Sequence, residues 1–375
     1  MTTTSPDTAR CPDAVTVPSS GRTLRVRRAW PRSDGHVLLE LGGDDGSRVA
    51  GQWFADRGEL AHVAARTPAP GEAVPESSVL LQPDGADHRL PALATLLRRP
   101  GSSLVAHRPG RRAVVRMPEG DAVRYAKVVR RGRSLDLVAK ARLVDERAAG
   151  VVTVPRLVRH HADSGVLVWS EVAGPTLHEQ GTDRSWPAEE VRRVWNAVGV
   201  AVRRMHNGLP GADLPRYDAC AEYVSTVHWL YAAERHGLLP PVDVDHTLAE
   251  LRARRPGSIG VLHRDLHDKQ LVLATGRLLG LLDLDTLAVG ERALDVANLL
   301  GHLELRVLQG LLLPHQAEAA RDGLLTGCAP DAATLSRIPA YLTATRLRLA
   351  GVYAFRPLWR SVAHKLLGRA LRRPG

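Results

Sequence analysis

Hydrophobic residues follow two different spacings along this chain, and the change falls near Ser134. Before it, short apolar runs alternate with Gly, Pro and Asp clusters, a pattern typical of strands joined by turns. Beyond it, most apolar residues recur every three or four positions, which predicts amphipathic helices. The chain is therefore predicted to be an α+β protein in which strands come first and a largely helical part follows.

The strand-rich part begins with a polar stretch and is interrupted by one linker and one short helix. Residues 1–21, rich in Thr, Ser and Pro, are expected to be frayed, and residues 66–78 to form a Pro/Ala/Gly linker. A short helix is predicted over residues 90–99. Strands are predicted over residues 23–30, 36–41, 48–54, 79–82, 103–107, 113–117 and 122–129.

The remainder of the chain is predicted to be mainly helical. Helices are expected over residues 134–149, 187–207, 218–237, 244–254, 295–308, 314–325, 332–353 and 358–371. Two strands are predicted among them, over residues 154–158 and 166–169.

One loop in this second part carries a dense group of reactive side chains. Asp265 and Gln270 precede two short apolar runs with Thr and Gly between them, a β-hairpin pattern, and Asp283 follows the second run. In a hairpin ladder Asp283 lies opposite the loop that ends at Gln270. Such a group suits phosphoryl transfer, which needs a carboxylate to orient and deprotonate a hydroxyl and hard oxygen ligands to hold Mg²⁺.

The spacing of these residues resembles the catalytic core of the aminoglycoside-phosphotransferase-type small-molecule kinases. The residues that carry the resemblance are His263, Asp265, Gln270, Asp283, Gly290 and Asp295. Most members of that family have Asn where this chain has Gln270, whereas the maltokinase-like branch has Gln there. Gln offers the same amide oxygen as Asn on a longer side chain.

The resemblance implies a bilobal protein-kinase-like fold with a β-rich N-lobe and a mainly helical C-lobe, preceded by a small β-rich N-terminal module. The expected divisions are residues 1–100 for the cap-like module, 101–173 for the N-lobe and 174–375 for the C-lobe. The catalytic loop is expected within residues 261–285.

The resemblance also implies roles for individual residues. Asp265 orients the acceptor hydroxyl and accepts its proton, while Asp283 and Gln270 hold Mg²⁺. Lys127 pairs with the α- and β-phosphates of ATP. His263 and Asp295 are expected to support the loop through hydrogen bonds.

Two segments are expected to hold the rest of the nucleotide. Gly110 and Arg111 lie in a turn that would cover the triphosphate. By match to the family's hinge, the Ser170 carbonyl and the Val172 N–H would bond to the edge of the adenine.

The family also places a Glu on the helix after the lysine strand, and here that residue is uncertain. Glu146 falls on the side opposite to the apolar stripe of helix 134–149, while Asp136 and Asp145 flank the stripe more closely. No acidic partner for Lys127 is assigned.

The composition limits partners and location. The net charge is +11, but the basic residues are dispersed and aromatics make up 4% of the chain, so no nucleic-acid partner is expected. The three cysteines have no CxxC spacing, the N-terminus lacks the apolar core of a signal peptide, and no apolar run reaches the ~20 residues of a membrane helix. A cytoplasmic protein without membrane contact is expected.

Three functions remain open at this point. The first is an ATP-dependent kinase of a sugar or small metabolite, the second an aminoglycoside-modifying kinase, and the third a catalytically silent nucleotide-binding protein of the same fold. Residues 341–375 hold eight Lys or Arg and no acid, which favours a neutral or anionic acceptor. The nearby acids Asp268, Asp285 and Glu291 would favour a polycation instead.

Overall fold

The computed structural model of the protein describes residues 10–147, 152–208, 214–253, 255–274 and 279–372, without the side chains of residues 145–147. Two antiparallel sheets form the first part of the described chain, and helices form most of the second. This is the α+β arrangement that the residue pattern predicts.

The first sheet, called the N-terminal sheet below, lies ahead of the two lobes. Its strands are β1 (Ala14–Thr16), β2 (Thr23–Ser33), β3 (His36–Gly42), β4 (Arg48–Phe54), β5 (Glu72–Val74) and β6 (Val79–Gln82). They are ordered β1-β2-β3-β4-β6-β5. Helix α1 (Arg57–Ala64) connects β4 and β5, and Asp56 caps it by accepting the N–H of Gly58.

One face of the N-terminal sheet packs on the helical part of the chain. Leu39, Leu41 and Trp53 are at most 2% exposed and belong to the same apolar core as Tyr353 and Phe355. The Ala29 N–H on β2 also donates to the Phe355 carbonyl at 2.9 Å. Burying one such large side chain contributes roughly 1.5–3 kcal/mol, so this sheet is firmly docked.

The second sheet forms the N-lobe. Its strands are β7 (Ser103–Arg108), β8 (Arg112–Glu119), β9 (Ala122–Val129), β10 (Leu157–His161) and β11 (Val166–Ser170), in the order β10-β11-β9-β8-β7. Helix α2 (Ala92–Leu97) shares a core with it through Leu93 and Leu96, and Leu90 ahead of the helix belongs to the same core. Helix α3 (Ser134–Arg147) packs on it through Val138. The division predicted at residue 100 stays a prediction.

Helices make up most of the C-lobe. They are α4 (Leu177–Gly181), α5 (Ala188–Gly208), α6 (Ala219–Arg235), α7 (Val244–Thr247), α8 (Ala249–Ala253), α9 (Ala293–Leu308), α10 (Pro314–Cys328), α11 (Ala332–Ala354) and α12 (Arg360–Leu371). Helix α5 shows why they form: Val191, Trp195, Val198 and Val202 recur on one face, and all four are buried. None of the described helices combines the length and apolar content that a bilayer crossing requires.

Two small sheets in the C-lobe carry the loop that holds the reactive side chains. Strands β12 (Arg216–Tyr217), β13 (Ile259–Leu262) and β16 (Ala288–Glu291) form one sheet, in the order β12-β16-β13. Strands β14 (Leu271–Val272) and β15 (Gly280–Leu281) form the other. The pairing of β14 with β15 confirms the predicted hairpin, whose turn at residues 275–278 lies outside the described chain.

The prediction for the beginning of the chain was wrong in two places. Ala14–Thr16 is a strand of the N-terminal sheet with Val15 only 2% exposed, so the expected fraying does not extend to residue 21. The expected linker contains strand Glu72–Val74 and a short 3₁₀-helix, Pro75–Ser77. In both places a neighbouring strand supplies the hydrogen bonds, and a local pattern does not reveal that partner.

Two later elements also differ from prediction. The expected helix 244–254 is divided into α7 and α8 at Leu248, whose ψ of +17° departs from helical geometry. The expected strand 154–158 lies later, at Leu157–His161, because pairing with β11 fixes its position and includes an irregularity between Leu157 and Arg159.

Candidate active site

The loop that carries Asp265 is fixed at its base by a buried carboxylate. Asp295 on α9, 0% exposed, accepts the N–H of His263 at 2.8 Å and that of Arg264 at 2.9 Å. Arg264 has a left-handed φ of +72°, and the Asn298 amide donates to its carbonyl at 2.7 Å. The next residue, Asp265, is exposed. The prediction that Asp295 anchors this loop is confirmed.

His263 connects the same loop to the strand that precedes Asp283. Its imidazole is 0% exposed, and Nε2 lies 2.8 Å from the Leu282 carbonyl, so this nitrogen donates the hydrogen bond. The Thr286 hydroxyl donates to the His263 carbonyl at 2.6 Å. The supporting role predicted for His263 is confirmed.

The hairpin brings Gln270 and Asp283 to the same end of a two-stranded ladder. Leu271 pairs with Leu281, and the Leu282 N–H donates to the Gln270 carbonyl at 2.9 Å. Asp283 follows directly, with a left-handed φ of +55° that aims it away from the regular strand direction. Asp283 therefore lies one residue beyond the position that bonds to Gln270.

Lys127 reaches these acids from the N-lobe. It lies on β9, is 9% exposed, and its Nζ donates to Asp283 Oδ1 at 3.3 Å and to Asp285. Burial raises the pKa of Asp283, but the charges of Lys127 and Arg112 outweigh it and hold the pKa below its ordinary value. Lys127, Asp283 and Asp285 therefore form one cluster across the cleft.

Two further cations belong to this cluster, and neither was singled out from the sequence. Arg112, the first residue of β8, lies 3.7 Å from Asp283 and 3.5 Å from Asp285. Lys140 on α3 donates to the Asp285 carbonyl. The only sequence signal for Lys140 is that lysine is rare in this chain. Arg112 is one of many arginines and gave no signal.

Helix α3 supplies a cation where the family pattern led us to look for an acid. Asp136 on its first turn is exposed. The other two candidates, Asp145 and Glu146, have side chains outside the described part of the structure. Among the described side chains, the carboxylates that bond to Lys127 are Asp283 and Asp285.

The turn between β7 and β8 is tied to the segment ahead of α2. Asp87, 1% exposed, accepts the Gly110 N–H at 2.6 Å and lies 3.0 Å from a ring nitrogen of His107. Gly110 has a left-handed φ of +62°, and Arg111 beside it is exposed. The Gly110 N–H therefore has a protein acceptor here, and the phosphate contacts assigned to Gly110 and Arg111 stay predictions.

The segment that links the lobes lies against the catalytic hairpin. Strand β11 ends at Ser170, and Val172 is half-buried. Gly174 has φ +137°, and a Cβ there would lie 2.2 Å from the Leu273 carbonyl oxygen, so the close approach requires glycine. The Leu273 N–H donates to the Pro175 carbonyl at 2.9 Å. The adenine contacts assigned to Ser170 and Val172 stay predictions.

Asp268, inside the same loop, is committed to a different network. Arg306 on α9 binds its two oxygens at 2.7 and 2.8 Å, and the His178 ring lies 2.7 Å away. Burial raises the pKa of Asp268, but Arg306 and His178 more than offset it and hold the pKa well below the usual carboxyl range. Asp268 therefore has its charged and hydrogen-bonding partners, Arg306 and His178, within the protein.

A sheet lobe and a helical lobe joined by a short hinge, with a lysine from one facing carboxylates of the other, define a protein-kinase-like phosphotransferase. Comparison with known sequences identifies the family. The model of the Phosphotransferase enzyme family matches residues 102–333, more than half of the chain. The chain belongs to this family, whose members are kinases that phosphorylate hydroxyl groups of small molecules.

Individual relatives agree with this assignment. Streptomycin 3''-kinase of Streptomyces griseus is 30% identical over 199 residues, which cover 48% of this chain and 71% of that enzyme. An amicoumacin kinase is 14% identical with a TM-score of 0.50, covering 73% of this chain and 87% of its own. An ethanolamine kinase of Plasmodium vivax is 9% identical with a TM-score of 0.50, covering 73% and 83%. The two structures establish the fold alone.

Proposed function

We propose that this enzyme uses ATP and Mg²⁺ to phosphorylate a hydroxyl group of a sugar or another small metabolite. The observation that carries the proposal is the meeting of Lys127 with Asp283, 3.3 Å apart, across the cleft between the lobes. Asp265 belongs to the same loop end, because His263, two residues before it, bonds to the carbonyl of Leu282, which precedes Asp283. Phosphoryl transfer depends mainly on positioning and on charge stabilisation, and such a cluster supplies both.

In this proposal Asp265 handles the acceptor. Its exposed carboxylate accepts a hydrogen bond from the incoming hydroxyl, aligns the oxygen with the γ-phosphate and takes the proton as the new P–O bond forms. The leaving group is ADP. The anchoring of His263 and Arg264 by Asp295 supports this role, because it fixes the backbone next to Asp265.

The donor set fits a hard divalent cation. Asp283 offers an ionised carboxylate and Gln270 an amide oxygen at the paired end of the hairpin, and such oxygens are the ligands that Mg²⁺ prefers. When bound, the ion would offset phosphate charge during transfer. The related amicoumacin kinase was solved with AMP-PNP and Ca²⁺, which supports the use of a nucleotide and a divalent metal here.

Lys127 is proposed to exchange Asp283 and Asp285 for the α- and β-phosphates when ATP binds. Arg112 is well placed to join it, since it lies within 3.7 Å of the same acids. Ser170 and Val172 are proposed to hold the adenine, and Gly110 and Arg111 to cover the triphosphate. The last assignment requires the Gly110 N–H to leave Asp87.

The acceptor is proposed to be neutral or anionic. Asp268 and Glu291, two of the three acids that would attract a polycation, are paired internally, with Arg306 and Arg337 respectively. An aminoglycoside acceptor is the second candidate, because the relative from Streptomyces griseus is a streptomycin kinase.

We also propose a cytoplasmic location, where ATP is available and thiols stay reduced. Cys11, Cys220 and Cys328 are free. Burial raises the pKa of Cys11 and of Cys328 to about 12, so neither reacts readily as a thiolate.

The test of this function separates Asp265 from Asp283. Asp265→Ala and Asp283→Ala are each expected to lower phosphoryl transfer by about 10²–10⁴-fold. Only Asp283→Ala is expected to weaken Mg²⁺-dependent ATP binding, because Asp265 faces the acceptor. Titration calorimetry with Mg·ATP and an ADP-release assay over sugars, amino alcohols and aminoglycosides give the two readouts.

Two results would contradict the proposal. Undiminished Mg·ATP binding by Asp283→Ala would remove its metal role. ATP binding by the wild type without transfer to any hydroxyl compound would favour the catalytically silent alternative.

A further inference from the structure

Four cationic side chains from separate parts of the chain converge beside the catalytic loop. Arg28 lies on β2 of the N-terminal sheet, Arg108 ends β7, Lys269 adjoins Gln270, and Arg356 follows α11; all four are half-buried. They come from the N-terminal sheet and both lobes, so only the folded protein brings them together.

Contacts between neighbouring residues bring these cations together. Ala29, which follows Arg28, donates its N–H to the carbonyl of Phe355, which precedes Arg356. Trp30, on the same strand as Arg28, contacts the Arg108 guanidinium. Lys269 follows Asp268, whose partner Arg306 also donates to the Tyr353 hydroxyl at 3.3 Å, and the Tyr353 ring contacts Arg356. In agreement with these contacts, burial and then neighbouring cations that include Arg28 lower the pKa of Arg356 and of Arg108.

Aromatic rings and a single acid hold these cations without neutralising them as a group. The Arg108 guanidinium lies 4.8 Å from the centre of the Trp30 ring, and that of Arg356 lies 3.8 Å from the Tyr353 ring. Arg28 is 3.7 Å from Glu40. A cation–π contact contributes only about 0.5–2 kcal/mol, so the group keeps an excess of positive charge.

Two further acids, Asp268 and Glu222, do not cancel this excess, because each has another partner. Asp268 is bound by Arg306 through both oxygens. Glu222 accepts hydrogen bonds from Arg348 at 2.9 Å and from Tyr217 at 2.8 Å. The remaining charge next to Asp265 makes a ready site for an anion.

We propose that the acceptor carries a carboxylate or phosphate group, and that Arg28 of the N-terminal sheet binds this group together with Lys269 and Arg356 while a hydroxyl of the same molecule faces Asp265. The inference rests on the proposed kinase function and narrows its acceptor to an anion. The proposal also assigns a function to the N-terminal sheet, because β2 carries Arg28. The hydrogen bond from the Ala29 N–H to the Phe355 carbonyl holds this strand in place.

The geometry separates this anion site from the nucleotide cluster. Lys127 and Arg112 are already paired with Asp283 and Asp285, which they would exchange for ATP phosphates. Arg108 connects the two groups, because the charges of Asp265 and Asp283 raise its pKa and the charge of Arg28 lowers it.

The test uses matched sets of hydroxyl compounds on hexose, pentose and glycerol frames, each in neutral, amino, carboxylate and phosphate forms. ADP release is measured with the full-length protein, and ATP binding is titrated separately. The anionic members are expected to exceed their neutral counterparts in kcat/KM by about tenfold or more, equal to about 1.4 kcal/mol. Comparing kcat/KM for the carboxylate and phosphate members of each set shows which of the two anionic groups the acceptor carries.

Arg28→Gln is expected to raise the KM of the best anionic acceptor by about tenfold and to leave the KM for ATP unchanged. Arg28→Lys should restore part of the loss because it keeps the charge. Arg25→Gln, an exposed arginine on the same strand, is the matched control and should behave as wild type. Melting curves check that each variant is folded, and Lys269→Gln provides a second test should Arg28→Gln not fold.

Three results would overturn the inference. Preferred turnover of neutral or amino compounds would do so, as would a protein that binds ATP but uses no anionic member of any set. An Arg28→Gln or Lys269→Gln variant that raises the KM for ATP and not that for the acceptor would assign these cations to the nucleotide. Failure to bind ATP at all would instead count against the kinase function itself.

Discussion

Two ionic clusters near the catalytic loop are built in opposite ways. The open cluster consists of Lys127, Arg112, Asp283 and Asp285, and its side chains at Arg112 and Asp283 are 36% and 30% exposed. The buried cluster consists of Asp268, Arg306 and His178, and the side chains of Arg306 and Asp268 are 6% and 7% exposed. The acids of both clusters, Asp268 in one and Asp283 and Asp285 in the other, come from one short stretch of sequence.

The contrast shows what distinguishes a ligand site from a structural ion pair. In a ligand site the charged side chains can exchange their protein partners for a ligand, and this matters more than the number of acids. Contacts of Asp283 in the open cluster run from 3.3 to 3.7 Å, and solvent reaches the acid, so phosphates can replace it as a partner of Lys127. In the buried cluster, Arg306 holds Asp268 bidentately at 2.7 and 2.8 Å. Removing Arg306 there leaves Asp268 buried with His178 as its remaining partner, and removing Asp268 leaves Arg306 buried without its carboxylate.

The largest expected effect comes from breaking the buried cluster. Arg306→Met should lower the free energy of unfolding by about 3–5 kcal/mol at pH 7, because Asp268 would remain charged and buried. Urea unfolding of both proteins measures the difference. A loss below about 1 kcal/mol would show that water reaches Asp268 and would remove the contrast between the clusters.

The pH dependence of that variant sharpens the same comparison. In the wild type the pKa of Asp268 lies well below the usual carboxyl range, so its stabilising contribution is present above about pH 4 and is lost only at strongly acid pH. Without Arg306, the largest opposing charge is lost while the effect of burial remains, so the pKa of Asp268 is expected to rise above its unfolded value. The stability deficit of Arg306→Met should therefore shrink as the pH is lowered from 7 towards 5.

The next effect is large for activity and small for stability. Lys127→Met should lower kcat by about a hundredfold or more, since a preorganised charge at the phosphates is lost. Its unfolding free energy should change by no more than about 1 kcal/mol, because Asp283 and Asp285 keep Arg112 and contact with solvent. Phosphoryl transfer and urea unfolding are measured on the same preparation. A stability loss as large as that of Arg306→Met would make Lys127 a packing residue.

Apart from Lys127, which the family resemblance supplied, the parts of the site that could be predicted from the sequence lie close together in it. His263, Asp265 and Asp295 fall within one stretch, where the pattern of a strand, a polar loop and a hairpin predicts which backbone groups meet. The predicted pairing of the two hairpin strands is confirmed, because a short connection limits how two strands can pair.

The remainder depends on contacts between distant segments. Lys127 and Asp285 are 158 positions apart, and Arg112 and Asp285 are 173 apart. Nothing local distinguishes Arg112 from the exposed Arg111 beside it, since their different surroundings arise only when the lobes close on each other. The approach of Arg28 on β2 to the cleft is of the same kind, because the docking of a whole sheet decides it.

The smallest expected effect tests whether good geometry alone makes an ion pair strong. Arg360 on α12 binds Asp13 bidentately, with both distances 2.5 Å, yet the side chains are 35% and 53% exposed. Water solvates both charges when they separate, so Arg360→Ala should cost no more than about 1 kcal/mol. The loss should fall further in 0.5 M salt, where exposed charges are screened. Lys365→Ala, an exposed cation on the same helix, is the control and should be close to neutral. A loss comparable to that of Arg306→Met, unchanged by salt, would mean that this pair holds the N-terminal segment to the C-terminal helix and that burial is not what separates the two clusters.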